Sequence, residues 1–197
     1  MRVLLFVLTS VFSTWAVAVQ PVAGFIERKG QDIYLQANDD CPSYRIETKS
    51  TDAQVALEKL SPGDHITATG IYDKDTCQAS IESVDYVGLK RMLGTWISRQ
   101  GVISVHDFKT LSFYPGSNTD LKASRNSDDF QTVKPVDYKY SVTPSDGKEW
   151  VLFLSDLEST TFATIQFSKE IAIMKIYDTD NGNVTKTLIL TRRGNLK

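Results

Sequence analysis

Thr51-Asp52-Ala53-Gln54-Val55-Ala56-Leu57-Glu58-Lys59-Leu60-Ser61-Pro62-Gly63-Asp64-His65-Ile66-Thr67-Ala68-Thr69-Gly70 changes its hydrophobic period halfway along. Ala53, Ala56, Leu57 and Leu60 recur at i, i+3, i+4 and i+7, which predicts a short helix with one apolar stripe. Thr51 stands three residues before Gln54, the spacing of a capping box, and Pro62-Gly63 stops the helix. From His65 the period is two, as in a strand. Upstream, Gly24 to Arg28 and Ile33 to Gln36 flank the hairpin-length connection Lys29-Gly30-Gln31, and a third strand runs from Tyr44 to Thr48. Downstream, strands His65 to Tyr72 and Cys77 to Tyr86 enclose the polar turn Asp73-Lys74-Asp75-Thr76.

Three strands, a helix and two strands follow the element order of an OB-fold barrel, and Leu60 to Gly70 resembles the approach to the fourth strand in bacterial OB-like domains. The resemblance spans about 65 residues. It implies a five-stranded barrel over residues 19–89, in which Cys41 and Cys77 fall toward the same end. OB-folds often bind oligonucleotides. Here the domain carries six basic residues (Arg28, Lys29, Arg45, Lys49, Lys59 and Lys74) against twelve acidic ones. Its net charge of −6 repels a phosphate backbone, so no nucleic-acid partner is expected.

Residues 90–197 hold turn-separated apolar segments with no helical interlude. Strands are read at Thr95 to Ser98, Val105 to Tyr114, Phe130 to Val133, Val136 to Val142, Trp150 to Leu154, Thr161 to Phe167, Ile171 to Tyr177 and Val184 to Arg192. Eight sequential strands predict an up-and-down barrel and, with the first half, an all-β protein. Alternating bulky residues, among them Leu111, Phe113, Leu152, Leu154, Ile171, Ile173, Leu188 and Leu190, point to a well-filled interior. Gly116 to Asp129 is the longest polar connection. Gly94-Thr95-Trp96 resembles the lipocalin and wider calycin signature, in which a Trp closes the barrel floor and an Arg near the barrel's end packs over it. Arg192 is the matching residue, and cation–π contact is the physical reason for the pairing. A class of bacterial envelope lipoproteins joins the same two modules in the opposite order.

Arg2, an apolar run from Val3 to Phe12 and Trp15-Ala16-Val17-Ala18 form a signal-peptide pattern with cleavage after Ala18. The run is shorter than the ~20 residues of a spanning helix. Residues 1–18 are therefore expected to be a signal peptide, and the protein periplasmic or secreted without stable membrane insertion. Beyond residue 18 the charge is −3, too slight to draw the chain to anionic polymers or lipids. Two cysteines in an oxidising compartment suggest one disulfide, Cys41 to Cys77; two separate buried thiols are the alternative.

The sequence offers little for catalysis. His65 and His106 fall in different halves, and His106-Asp107, read as strand neighbours, point to opposite faces. Asp178-x-Asp180-x-Gly182 has the flavour of a calcium loop, but its Gly comes one place early and the bidentate Glu is missing, so a hairpin turn is expected. Neither a nucleophile motif nor a metal set is present, so neither an enzyme nor a cofactor is expected. The expectation is a binding protein for a small apolar ligand in the second barrel. The alternative is a module that contacts an envelope protein with both barrels filled.

Overall fold

Alternating apolar and polar residues become strands along most of the chain. The structure, a computed structural model, describes residues 20–37, 41–116, 134–145 and 147–193. The signal-peptide segment, nearly all of the connection read at 116–129 and the strand read at 130–133 lie outside the described residues.

The first half contains β1 (Gln20–Lys29), β2 (Asp32–Gln36), β3 (Tyr44–Thr48), α1 (Thr51–Glu58), β4 (His65–Asp73) and β5 (Gln78–Gly88). The strands close in the order β1-β2-β3-β5-β4 and back to β1. All pairs are antiparallel except β3 with β5. Val22, Leu35, Tyr44, Ile66 and Ile81 point inward and are fully buried. Helix α1 presents Ala53, Ala56 and Leu57 to the same core. Its last turn leaves carbonyls without helical partners. Arg28 on β1 supplies donors to them, with Nη2 at 3.1 Å from Leu57 O and 3.0 Å from Glu58 O, and Nε at 3.2 Å from Leu60 O. The N-cap differs from the sequence expectation. Ser50, not Thr51, accepts the Ala53 N–H at 3.1 Å, while Gln54 turns along the helix to Glu58. The Ser50 hydroxyl also donates to Glu82 O on β5, a tertiary bond that selects the cap one residue earlier.

The disulfide joins Cys41 to Cys77, with Cα atoms 5.9 Å apart. Parallel pairing of β3 with β5, Arg45 beside Gln78, brings the two loops together.

The second half contains β6 (Gly94–Ile97), β7 (Gly101–Val105), β8 (Thr110–Pro115), β9 (Val136–Pro144), β10 (Trp150–Ser155), β11 (Thr160–Ser168), β12 (Ile171–Tyr177) and β13 (Val184–Arg192). Each pairs antiparallel with its successor, and β13 returns to β6, closing an eight-stranded barrel. The total agrees with the sequence reading, but the membership differs. The segment read as one strand from Val105 to Tyr114 is broken by a turn, in which Asp107 Oδ1 accepts the N–H groups of Lys109 and Thr110, both at 2.7 Å. That carboxylate reverses the chain and frees Gly101–Val105 as a separate strand. The Asp178 turn is a hairpin, with Asp178 Oδ1 accepting from Asp180 and Asn181.

One core runs through both barrels. A single 3-10 turn, Lys90–Met92, connects them, and the sheets touch at Val87 opposite Val142. The β7–β8 turn reaches over the first barrel. Its Phe108 ring stacks on His65 at 5.8 Å between centroids and lies 6.3 Å from Phe25. A Cβ on Gly88 would fall 2.6 Å from the Phe108 ring, so glycine there lets the ring seat against the backbone. Tyr86 donates its hydroxyl to Phe108 O, and Tyr140 donates to Asp107 O at 2.8 Å.

Candidate binding site in the second barrel

The inner face of an eight-stranded barrel is just wide enough for side chains to fill or for one small ligand. At the end facing the first barrel it is filled. Gly94 has a positive φ of 111°, a conformation that favours glycine, and two residues on Trp96 is 3% exposed. The Trp96 indole N–H donates to Met92 O at 2.8 Å, and its ring lies 5.9 Å from Phe167. Arg192 is the register partner of Trp96. Its guanidinium carbon is 5.6 Å from the Trp96 centroid, and its Nη2 donates to Leu93 O at 2.9 Å. Gly94, Trp96 and Arg192, which the sequence grouped as a floor, thus stand together.

A second arginine in the same floor was not singled out from the sequence. Arg91 of the connecting turn lies 4.7 Å from the Phe167 centroid and 5.5 Å from that of Trp150. Burial lowers its pKa, opposed by the Asp64 carboxylate, and its Nε has no hydrogen-bond partner among the described residues. Nothing in the local pattern Leu89-Lys90-Arg91-Met92 marks which of the two basic residues turns inward. Asp64 is itself buried, accepting from Ser61 N and Lys90 N at 2.7 Å each, and its pKa is raised by desolvation against those hydrogen bonds.

Toward the other end the filling stops. A cavity of about 190 Å³ lies among Ile103, Leu111, Phe113, Leu154, Met174 and Leu188. Tyr138 and Ile176, both half-buried, and Lys186, exposed, complete its wall. The expectation that Ile171 and Ile173 help to fill the interior is corrected. They are 45% and 41% exposed, and Ala172 and Met174 point inward in their place. Ile171-Ala172-Ile173-Met174 is apolar on both faces, so alternation alone could not assign its register. Ala172 and Met174 inside, where Ile171 and Ile173 were expected, put one small side chain in place of a bulky one, and Ala163 on β11 is also small.

Outside the barrel, facing away from the cavity, Ser112 on β8 stands opposite Asp137 on β9. Its hydroxyl donates to Asp137 Oδ1 at 2.5 Å and is hydrogen-bonded with His106 Nε2 at 2.8 Å. The serine is central and buried, and its proton is directed to a carboxylate rather than to the imidazole. His106 and Asp107 are exposed in the β7–β8 turn and not on a strand, because the Asp107 turn intervenes. The turn does reach His65, but through Phe108.

No family model matches the chain, and neither a curated protein sequence nor a solved structure matches it. Among the described residues no helix is long and apolar enough to cross a membrane.

Proposed function

We propose that the protein is an exported, non-enzymatic binding protein that takes a small apolar group into the second barrel. The carrying observation is the apolar cavity of about 190 Å³ above a floor sealed by Trp96, Arg192 and Arg91. The closure order of the first barrel supports an OB-like assignment, and the up-and-down closure with Gly94-Thr95-Trp96 beneath Arg192 supports a lipocalin-like one. The disulfide favours an oxidising compartment, consistent with a periplasmic or secreted protein.

The size of the cavity limits the ligand. Drug-sized ligands occupy roughly 300–1,000 Å³. A methylene fills about the volume of a water, ~30 Å³, so the space holds a chain of about six carbons or one small ring. At ~0.8 kcal/mol per buried methylene the gross gain is ~5 kcal/mol, from which association costs are subtracted. Binding of a minimal ligand is therefore weak, millimolar or weaker. The test is titration of the purified protein with hexanol, followed by methyl NMR. Saturable one-to-one shifts centred on Ile103, Leu111, Ile176 and Leu188 are expected. Shifts scattered over outward residues, or none up to the solubility of hexanol, overturn the reading.

A second reading, a module that docks on another envelope protein, is favoured by one observation. Ile173 and Ile189 stand directly opposite each other on the outside of β12 and β13, 41% and 64% exposed, beside Ile171. Outward apolar residues grouped in this way are a common feature of protein contacts. Crosslinking from Ile189 replaced by a photoreactive residue, in the exporting cell, separates the two readings.

A further inference from the structure

From the wall of the cavity we infer that the ligand is an anionic short-chain amphiphile whose head pairs with Lys186 while its chain enters the barrel; this rests on the apolar-ligand reading above. Lys186 sits on the inward-facing row of β13 with Leu188 and Leu190, and its register partner is Ile176. It is the one charged side chain among the described residues that line the cavity. Its Nζ lies 5.9 Å from the Phe113 centroid, so its aliphatic stem follows the wall and its ammonium stands at the mouth.

The neighbouring strand supplies a contrast. Lys175 faces outward from β12 and is paired with Glu149 at 3.1 Å. Lys186 faces inward and has no carboxylate within ion-pair distance among the described residues. A cation at the rim of an apolar pocket attracts an amphiphile's anionic head and disfavours a cationic one. A neutral head gains only what the chain gains. The pocket therefore orders three heads on one chain: anion first, alcohol next, ammonium last.

The probes are hexanoate, hexanol and hexylamine, titrated into the purified protein and into Lys186→Met, which keeps the length of the side chain against Phe113 and removes the charge. Hexanoate affinity is expected to fall about three- to fivefold in Lys186→Met, the scale of a partly exposed charge pair. Hexanol affinity should hold or rise, and Lys186→Arg should restore hexanoate. Added salt should weaken hexanoate in the unmodified protein and not in Lys186→Met. If hexanol binds in the cavity but hexanoate is unaffected by Lys186→Met, or hexylamine binds as tightly as hexanoate, the inference about the head is overturned and the apolar-cavity reading stands. If none of the three shifts the cavity methyls, both fall.

Discussion

Arg192 and Trp96 face each other across the seam that closes the second barrel, as register partners with the guanidinium carbon 5.6 Å from the indole centroid. The arginine also holds Leu93 O. Arg192→Ala removes the cation–π contact and leaves that carbonyl without its donor, for a loss of ~1–3 kcal/mol. Arg192→Lys should recover only part of it, because an ammonium cannot reproduce the planar donor set. Urea unfolding followed by tryptophan fluorescence measures both; an unchanged midpoint for Arg192→Ala would rule out the seam as a stabilising contact.

Asp64 ties the barrels together by accepting from Ser61 N and from Lys90 N. In Asp64→Ala two backbone donors lose their partner, and a destabilisation of ~2–4 kcal/mol is expected. Amide hydrogen exchange at Lys90 should accelerate more than exchange in the interior of β12. Equal protection before and after the substitution would show that the carboxylate is not the tie.

His65 has its pKa lowered below the ordinary 6.5, first by burial and then by the Lys109 ammonium, and its Nδ1 is buried without a hydrogen-bond partner among the described residues. The folded state therefore binds a proton less readily than the unfolded one. Stability is full above about pH 6.5 and declines as pH falls through that value toward the folded pKa. His65→Phe, which keeps a ring against Phe108, should flatten the profile between neutrality and pH 5. Parallel profiles for the two proteins would exclude His65 as the source.

The Cys41–Cys77 bridge spans 36 residues, and in the chain-entropy account its loss costs ~4 kcal/mol. Cys41→Ser should lower the unfolding midpoint and expose the first barrel to proteolysis before the second. Thiol labelling of the denatured, unreduced protein should modify neither cysteine; two labelled residues would contradict the bridge.

Local pattern was legible where a residue's neighbours in sequence are also its neighbours in force. Tyr44 to Thr48 and Ile171 to Tyr177 coincide with β3 and β12, and Asp178 folds its own turn through its own carboxylate. The resemblance carried by Gly94-Thr95-Trp96 pointed to a distant Arg192, and the two meet because β13 returns to pair with β6. Where two local solutions were nearly equal, a long-range contact chose. Ser50 won the cap over Thr51 through its bond to Glu82 O on β5, and the turn at Asp107 cut a strand that alternation would have continued.

Alternation and turn residues were therefore enough for the all-β class and the two strand groups, since each follows from period or from short-range chemistry, whereas the cysteine count left a bridge and two separate thiols both open until the pairing of β3 with β5 brought Cys41 to Cys77. The faces of β12, the inward turn of Arg91 and the cavity beside Lys186 came only from closure of the barrel. A period of two states that Ile171 and Ala172 point in opposite directions, but not which of them points inward. That choice is made by what lies opposite, and a cavity is the space left after every strand has made it.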